Sequence, residues 1–480
     1  MTGQIRRTKI VATLGPSSRD RSVIRLLVEA GVDVFRINFS HASRDDFDRG
    51  LADVRELSAA AGRSVAVLAD LQGPKLRIGE LERHEPVVLI EGQSFDITTQ
   101  PIVGNRARVS TTYRGLTRDV KAADPILLAD GALELRVIAV DGDTVRCTVI
   151  HGGVLGEHKG MNLPGVSVSV PALTEKDRGD LAHAVSNGVD FIAISFVRRA
   201  DDVAEAKALV RAAGADTPVV AKIEKPQAVD DLENILRVSD AVMVARGDLG
   251  VEMAVERVPI LQKRIIRSAT AHLVPVVTAT QMLESMVHAP RPTRAEASDV
   301  ANAIIDGTDA IMLSEETAAG EYPVESVRTM VRIALEAEAN FPPREKRRAR
   351  VDTDSHAISH AACTIVESID VRAIAAFTRS GFSARIVSKD RPIVPVYAFV
   401  PDEQTGRRLT LDWGVLPIVI DFAGTTEGLL AAVEAELLRR EAVVQGEAVV
   451  VVGGTPMGVR GRTNFLKIVR AGETAASGLL

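Results

Sequence analysis

Residues 219–250 read VVAKIEKPQAVDDLENILRVSDAVMVARGDLG, and their pattern decides the fold. Two short apolar runs, 219–223 and 241–245, flank a helix-like stretch, which is the repeat of a parallel α/β sheet. Each run ends in charge: Lys222 and Glu224 on the first, Arg246 and Asp248 on the second. Lys222 and Glu224 are two apart, so on an extended chain they point to the same side. A lysine beside a carboxylate at the open end of a buried strand costs desolvation energy. Such an arrangement points to chemistry on an anionic substrate and a metal.

Working outward, similar Val/Ile/Ala-rich runs occur at 9–13, 34–38, 65–70, 191–195, 276–278 and 310–313. Amphipathic stretches such as 201–213 and 258–272 separate most of them. Eight strand–helix units predict a (β/α)8 barrel, with a doubly wound sheet as the competing architecture. The rhythm breaks between Gly73 and Val170, where period-two runs and turn pairs such as Asp141-Gly142 predict an inserted all-β domain. An insertion on the catalytic face is placed to act as a lid. After a helix ending near Ala339, the segment FPPREKRRARVDTDS reads as a linker with a solvated basic cluster, nucleic-acid binding being the weaker alternative. Alternation resumes from Ser355 with a helix over 356–368 and four apolar runs, predicting a C-terminal α/β domain. The expected division is therefore 1–72 and 171–340 for the barrel, 73–170 for the insertion, 341–354 for the linker and 355–480 for the last domain. No internal repeat stands out.

Composition excludes several classes. The 480 residues are 46% hydrophobic and 25% charged, as in ordinary globular proteins. Aromatics make up only 3%, with a single tryptophan, and the formal net charge is −6, so a nucleic-acid stacking surface or a general polyanion binder is not expected. Cys147 and Cys363 are far apart and form no metal-type spacing, which suggests a reducing compartment. The apolar run after Arg6, Arg7 and Lys9 is too short for a signal peptide, and none approaches a membrane span. A cytoplasmic protein without membrane or nucleic-acid partners is expected.

Barrel enzymes carry function at the C-terminal ends of strands, and polar residues fall there with regularity. Strand two runs Phe35-Arg36-Ile37-Asn38-Phe39-Ser40-His41, with Arg36, Asn38 and Ser40 on one face by alternation. Strand three ends in Asp70, strand seven leads to Thr280, and strand eight to Ser314-Glu315-Glu316-Thr317. Singly, Arg36 reads equally well as a structural ion pair, Glu224 or Asp248 as a helix cap, and Thr280 as a turn residue. Together they require six strand ends to bury polar groups without purpose. Glu224 and Asp248 are hard oxygen donors suited to Mg²⁺ or Mn²⁺. Lys222 adds charge beside them, Arg36 offers a fork for phosphate or carboxylate, and the segment Arg246-Gly247-Asp248-Leu249-Gly250 has glycines where a helix begins, so that free backbone N–H groups there can hold an anion. Phosphoryl transfer needs this kit of positioning and charge neutralisation, and no Walker-type loop is present.

The motifs KIVATLGPSS, FRINFSH, LADLQGPKLRIG, KIEKPQAVDDLENI, ARGDLGVE, PVVTATQMLESM, PTRAEASDVANAIIDGTDAIMLSEETAAGEYP and GRTN resemble pyruvate kinase, in the same order over nearly the whole chain. The resemblance implies a barrel with a small β-barrel lid, a C-terminal α/β domain and a homotetramer. It implies that Arg36 and Lys222 contact the transferring phosphoryl group, and that Glu224 and Asp248 bind Mg²⁺. It further implies that Gly247, Asp248 and Thr280 hold the carboxylate of phosphoenolpyruvate, and that Asn38, Phe39, Ser40, His41, Arg77 and Lys159 lie near the phosphates of ADP or ATP. Thr280 is also a candidate proton relay to the enolate.

Potassium-dependent members of that family carry threonine where this chain has Leu71, and glutamate where it has Lys75. The monovalent-cation region here comprises Asn38, Ser40, Asp70 and Lys75, and the Lys75 ammonium is expected to replace K⁺. In the last domain, Thr378-Arg379-Ser380-Gly381-Phe382-Ser383 opens a helix with hydroxyls and a glycine, either an ordinary capped start or a phosphate cradle. It resembles the family's effector loop, with Thr378, Ser380, Gly381 and Ser383 as candidate contacts and Arg460 and Arg462 on the facing loop. Two rivals remain: a Mg²⁺-dependent aldolase or lyase forming a pyruvate enolate, and a silent phosphometabolite-binding protein.

Overall fold

The structure, a computed structural model, describes residues 5–341, 353–422, 425–455 and 462–472. Eight parallel strands close into a barrel: β1 (Lys9–Leu14), β2 (Val34–Asn38), β3 (Ala66–Asp70), β4 (Phe191–Ile194), β5 (Val219–Ile223), β6 (Ala241–Ala245), β7 (Val276–Ala279) and β8 (Ala310–Leu313). The runs expected at 34–38, 219–223, 241–245 and 310–313 match residue for residue. Being buried on both faces, the strands are short, largely apolar runs rather than alternating ones. Three barrel helices start on reciprocal caps, Ser43 with Asp46, Thr174 with Asp177 and Thr293 with Glu296.

A four-part repeat, invisible as overall sequence similarity, runs around the N-terminal end of the barrel. Asp33, Asp190, Asp240 and Asp309 each precede an even-numbered strand. Each carboxylate accepts the N–H of a residue at the start of the odd strand before it: Ile10, Val67, Val219 and Val276, at 2.8–2.9 Å. Each is matched by cations: Arg6 and Arg63 on Asp33, Arg55 and Arg407 on Asp190, Lys207 on Asp240, Lys389 and Arg391 on Asp309.

Between β3 and β4 the chain builds a sheet-rich body with its own buried core, from Leu76 to Val168. Six strands form one sheet, and single bridges of Arg77 to Gly160 and Ile78 to Thr111 join its two edges into a small barrel. A short helix, Leu116–Asp119, interrupts the otherwise all-β expectation. The C-terminal unit is a five-stranded sheet of β9 (Val371–Phe377), β10 (Val396–Val400), β11 (Val415–Val419), β12 (Ala448–Gly453) and β13 (Phe465–Arg470), in the order β11-β10-β9-β12-β13. The antiparallel edge strand β13 was not expected, because its half-exposed residues lack a buried-strand pattern. The basic run of the expected linker and Arg460 lie outside the described residues.

Both cysteines are buried and unpaired, and burial pushes the Cys147 thiol up to about 12. Among the described residues no helix is long and apolar enough to cross a membrane.

Candidate active site

The site grows out of the barrel's own alternation. Val34, Leu68, Ala193 and Val220 belong to the packed interior of the barrel. Two residues further along the same strands, on the same side, stand Arg36, Asp70, Ser195 and Lys222. Asp70 bridges the two cations. Its Oδ2 accepts from Arg36 Nε at 2.7 Å, and its Oδ1 lies 3.5 Å from Lys222 Nζ without a hydrogen bond. Arg36 is steadied by Thr13 Oγ1 at 3.1 Å.

Lys222 donates to Ser195 Oγ at 2.8 Å, and Ser195 in turn donates to the Leu71 carbonyl at 2.9 Å. The Lys222 ammonium is 3.5 Å from Glu224 Oε2, so the side-by-side placement expected from their spacing holds. Burial works against the ammonium, but Asp70, Glu224 and Asp248 outweigh it and hold its pKa above the usual lysine range. Burial likewise opposes ionisation of Asp70, and Lys222 and Arg36 overcome it. Ser195 was missed by the sequence reading. Its signal was its register, two residues beyond Ala193 on a strand whose interior face is otherwise apolar.

Glu224 is 4% exposed and accepts the Phe196 N–H at 2.6 Å. Burial pushes its carboxyl up to about 7; Lys222 opposes that shift and Asp248 adds to it. A buried carboxyl that a nearby carboxylate helps keep protonated is a hard-oxygen donor set, and a divalent cation would ionise it. Among the described residues no cluster of three or more His, Cys, Asp or Glu side chains stands ready for a metal. Two carboxylates with substrate and water completing the shell is how Mg²⁺ is usually held, so the residues fit that ion.

The segment Arg246–Glu252 forms a seven-residue helix carrying Gly247 and the exposed Asp248. Thr280, in the left-handed region at φ 69°, accepts the Gly247 N–H on its hydroxyl at 2.8 Å and donates to the Ala279 carbonyl at 2.6 Å. Arg246 points away from this face: it binds the Thr280 carbonyl at 2.7 Å and pairs with Asp299 at 2.7 Å, locking the β6 and β7 ends together.

On the opposite rim one expectation needs correction. β2 stops at Asn38, and the chain turns back through hydrogen bonds from His41 and Ala42 to the Asn38 carbonyl. Ser40 is therefore placed by a turn, with its N–H on Asn38 Oδ1 at 3.0 Å, rather than by strand alternation. Phe39 stacks on Phe47, and Lys176 caps the Phe39 carbonyl at 3.0 Å. Lys75 Nζ reaches the Ser40 carbonyl at 3.5 Å. Burial lowers the Lys75 pKa, and the neighbouring cations Arg77 and Lys176 lower it further. His41 is lowered too, by burial and then by Lys75, Arg36 and Arg77. This rim is a cationic cluster to which Lys176, not singled out in the sequence, also belongs. From the inserted domain, Arg77 binds the His158 carbonyl at 2.6 Å, and Lys159 lies exposed beside it.

In the C-terminal unit, Gly381 takes φ 85° and caps the helix Phe382–Lys389. Thr378 is buried and Ser380 exposed. The Ser383 hydroxyl meets the buried Thr463 at 2.8 Å, and Arg462 beside it is exposed.

Fold and site define a (β/α)8-barrel enzyme that gathers fixed cations and carboxylates at the open ends of its strands. Residues 5–327 match the family model "Pyruvate kinase, barrel domain", and 356–469 match "Pyruvate kinase, alpha/beta domain". A pyruvate kinase of Mycobacterium tuberculosis is 45% identical over 468 residues, covering 98% of this chain and 99% of that protein. One from Corynebacterium efficiens is 44% identical, with 98% of each chain covered. The crystal structure of a pyruvate kinase from Cryptosporidium parvum superposes with a TM-score of 0.91 at 33% identity, covering 97% of this chain and 96% of that one. The chain belongs to the pyruvate kinase family. It is a phosphotransferase, and neither the aldolase or lyase reading nor the silent binding protein is supported.

Proposed function

We propose that this chain moves the phosphoryl group of phosphoenolpyruvate to ADP, giving pyruvate and ATP, with its chemistry centred on Lys222. The observation that carries this reading is the buried chain Arg36–Asp70–Lys222–Glu224, two cations held in place by two carboxylates at one end of the barrel. Arg36 and Lys222 orient the phosphoryl oxygens, and Lys222 neutralises the charge that develops first on that group and then on the enolate oxygen. Gly247, Asp248 and Thr280 form the carboxylate seat: the Gly247 N–H, now on Thr280, turns to the substrate, and the Thr280 hydroxyl is the candidate proton relay. Mg²⁺ or Mn²⁺ held by Glu224 and Asp248 would supply Lewis acidity toward phosphoryl and enolate oxygens. Asn38, Phe39, Ser40, His41, Arg77 and Lys159 line the nucleotide-phosphate side, with the inserted domain, 73–170, as the lid between barrel segments 1–72 and 171–340.

Lys75 serves as the built-in monovalent cation. Its ammonium beside the Ser40 carbonyl, with Leu71 in place of a hydroxyl ligand, supports turnover without K⁺. The effector seat comprises Thr378, Ser380, Gly381 and Ser383 in the 355–480 domain, and the assembly is a cytoplasmic homotetramer. Pyruvate formation from phosphoenolpyruvate, ADP and Mg²⁺ in sodium-only and potassium buffers tests the reading. Equal rates are expected in both, with K⁺ dependence appearing in Leu71→Thr/Lys75→Glu. Turnover only with K⁺ in the unaltered chain would remove the role given to Lys75, and no turnover in either would remove the reaction.

A further inference from the structure

A buried carboxylate joins the inserted domain to the barrel. Glu252 Oε1 accepts two hydrogen bonds, from Asn162 Nδ2 of the inserted domain at 2.9 Å and from Lys225 Nζ of the barrel at 2.6 Å. Glu252 and Lys225 are 4% and 8% exposed, so the pair is shielded from the screening that makes surface ion pairs weak. A carboxylate buried in this way is held firmly in position by its partners, and losing one of them is costly.

Each partner leads to a different part of the site. Glu252 ends the same short helix that begins at Arg246 and presents Gly247 and Asp248. A helix of that length moves as a unit, so a shift at Glu252 reaches Asp248, about 6 Å away along the axis. Lys225 follows Glu224 in sequence, and its ammonium sits 4.3 Å from the centre of the Phe196 ring. Phe196, in the left-handed region at φ 60°, gives its N–H to Glu224. Asn162 lies three residues beyond Lys159 on the inserted domain. Two further contacts flank the connections: Arg198 on the carbonyls of Val168 and Val170 where the chain re-enters the barrel, and Lys75 on the Ser40 carbonyl where it leaves. Neither hydrogen-bonds to the helix that carries Gly247 and Asp248.

We propose that the Asn162–Glu252 hydrogen bond is the latch through which the inserted domain acts on the barrel half of the site. Asn162 and Glu252 are positioning residues. Nucleotide drawn onto Arg77 and Lys159 settles the inserted domain, Asn162 holds Glu252, and the segment bearing Gly247 and Asp248 is fixed for phosphoenolpyruvate. The two substrates then favour each other's binding, and by linkage the effect is reciprocal. This inference rests on the proposed reaction.

The test is an initial-rate matrix of phosphoenolpyruvate against ADP with Mg²⁺, giving the factor by which saturating ADP lowers the KM of phosphoenolpyruvate. Equilibrium dialysis of labelled phosphoenolpyruvate with Mg²⁺ and no nucleotide accompanies it. The unaltered chain is expected to show a factor of about ten or more. Asn162→Ala should cut that factor by about fivefold, the lower range of site-to-site coupling. Asn162→Asp, which sets a carboxylate against Glu252, should cut it further. Phosphoenolpyruvate binding without nucleotide should stay unchanged in both. A full factor in both variants, or a factor of one in the unaltered chain, overturns the latch. So does an equal loss of binding without nucleotide, because the contact would then be structural only. Absence of turnover in the unaltered chain would instead remove the reaction beneath it.

Discussion

Lys222 is surrounded by groups that keep it charged and still, and these can be separated by substitution. Ser195 is its hydrogen-bond acceptor at 2.8 Å, while Asp70 and Glu224 stand off at 3.5 Å. A hydrogen bond to a charged group contributes about 1.5–3 kcal/mol. Ser195→Ala should therefore lower kcat roughly 10- to 100-fold by loosening the ammonium, with the phosphoenolpyruvate KM little changed. Steady-state kinetics checks this, and an equal rise in KM with constant kcat would count against it.

Glu224 gives a pH-dependent expectation. Its carboxyl is lifted to about 7 in the metal-free protein, so proton and metal compete for the same oxygens there. Below pH 7 the apparent Mg²⁺ affinity should fall by about tenfold per pH unit, and above pH 8 it should level off. The metal-free protein carries the opposite trend. A carboxyl raised above its ordinary value favours the folded state at low pH, and that stability is lost as pH rises through about 7. Mn²⁺ binding followed by electron spin resonance from pH 6 to 8.5 would show the dependence or its absence.

At the scale of elements, the four aspartates turn eight strand–helix units into four pinned pairs. Each holds an N–H near the start of an odd strand on its side chain and receives that residue's carbonyl on its own N–H, at 2.9–3.2 Å. The pins differ in surroundings. Asp309 and Lys389 have side chains only 0% and 2% exposed, whereas Asp240 and Lys207 are 32% and 28% exposed. Removing one partner of a buried pair costs about 3–5 kcal/mol, and an exposed pair contributes about 1 kcal/mol or less. Asp309→Ala should thus lower the melting temperature by several degrees more than Asp240→Ala. Calorimetry of both variants decides, and equal losses would mean that the shared backbone hydrogen bond, rather than burial of the pair, sets the cost.

At the scale of the whole molecule, the C-terminal unit is fitted into the closed end of the barrel. Leu411 joins the apolar interior of the barrel beside Val11, Ala241 and Met312. Lys9 Nζ reaches across to the Val415 carbonyl at 2.6 Å, and Arg407 and Lys389 reach back to Asp190 and Asp309. Trp413, the sole tryptophan, is 4% exposed between Arg7 of the barrel end and Arg391, whose guanidinium lies 4.7 Å from its ring centre. Its emission should therefore report this seam. In Arg391→Ala, red-shifting of the emission should come at lower urea than loss of the far-ultraviolet helix signal. A single coincident transition would show that the seam and the barrel unfold together.

The sequence by itself determined the barrel and the charged residues gathered at the ends of its strands. Short apolar runs at regular spacing leave few other ways to bury every strand on both faces, and charge at the end of such runs, as at Lys222 and Glu224, is too costly to be incidental. It also carried the family resemblance, motif by motif. What it did not disclose were the pairings that join positions far apart in the chain. Ser195 on Lys222, Asn162 on Glu252 and the aspartates 33, 190, 240 and 309 on their strands carry no local signal, because a lone serine, asparagine or aspartate is ordinary anywhere. β13 escaped because an edge strand with one side to solvent needs no apolar run. Those choices were made only when barrel closure and domain docking brought distant backbone and side chains within hydrogen-bond reach, where a buried polar group must be met by a partner.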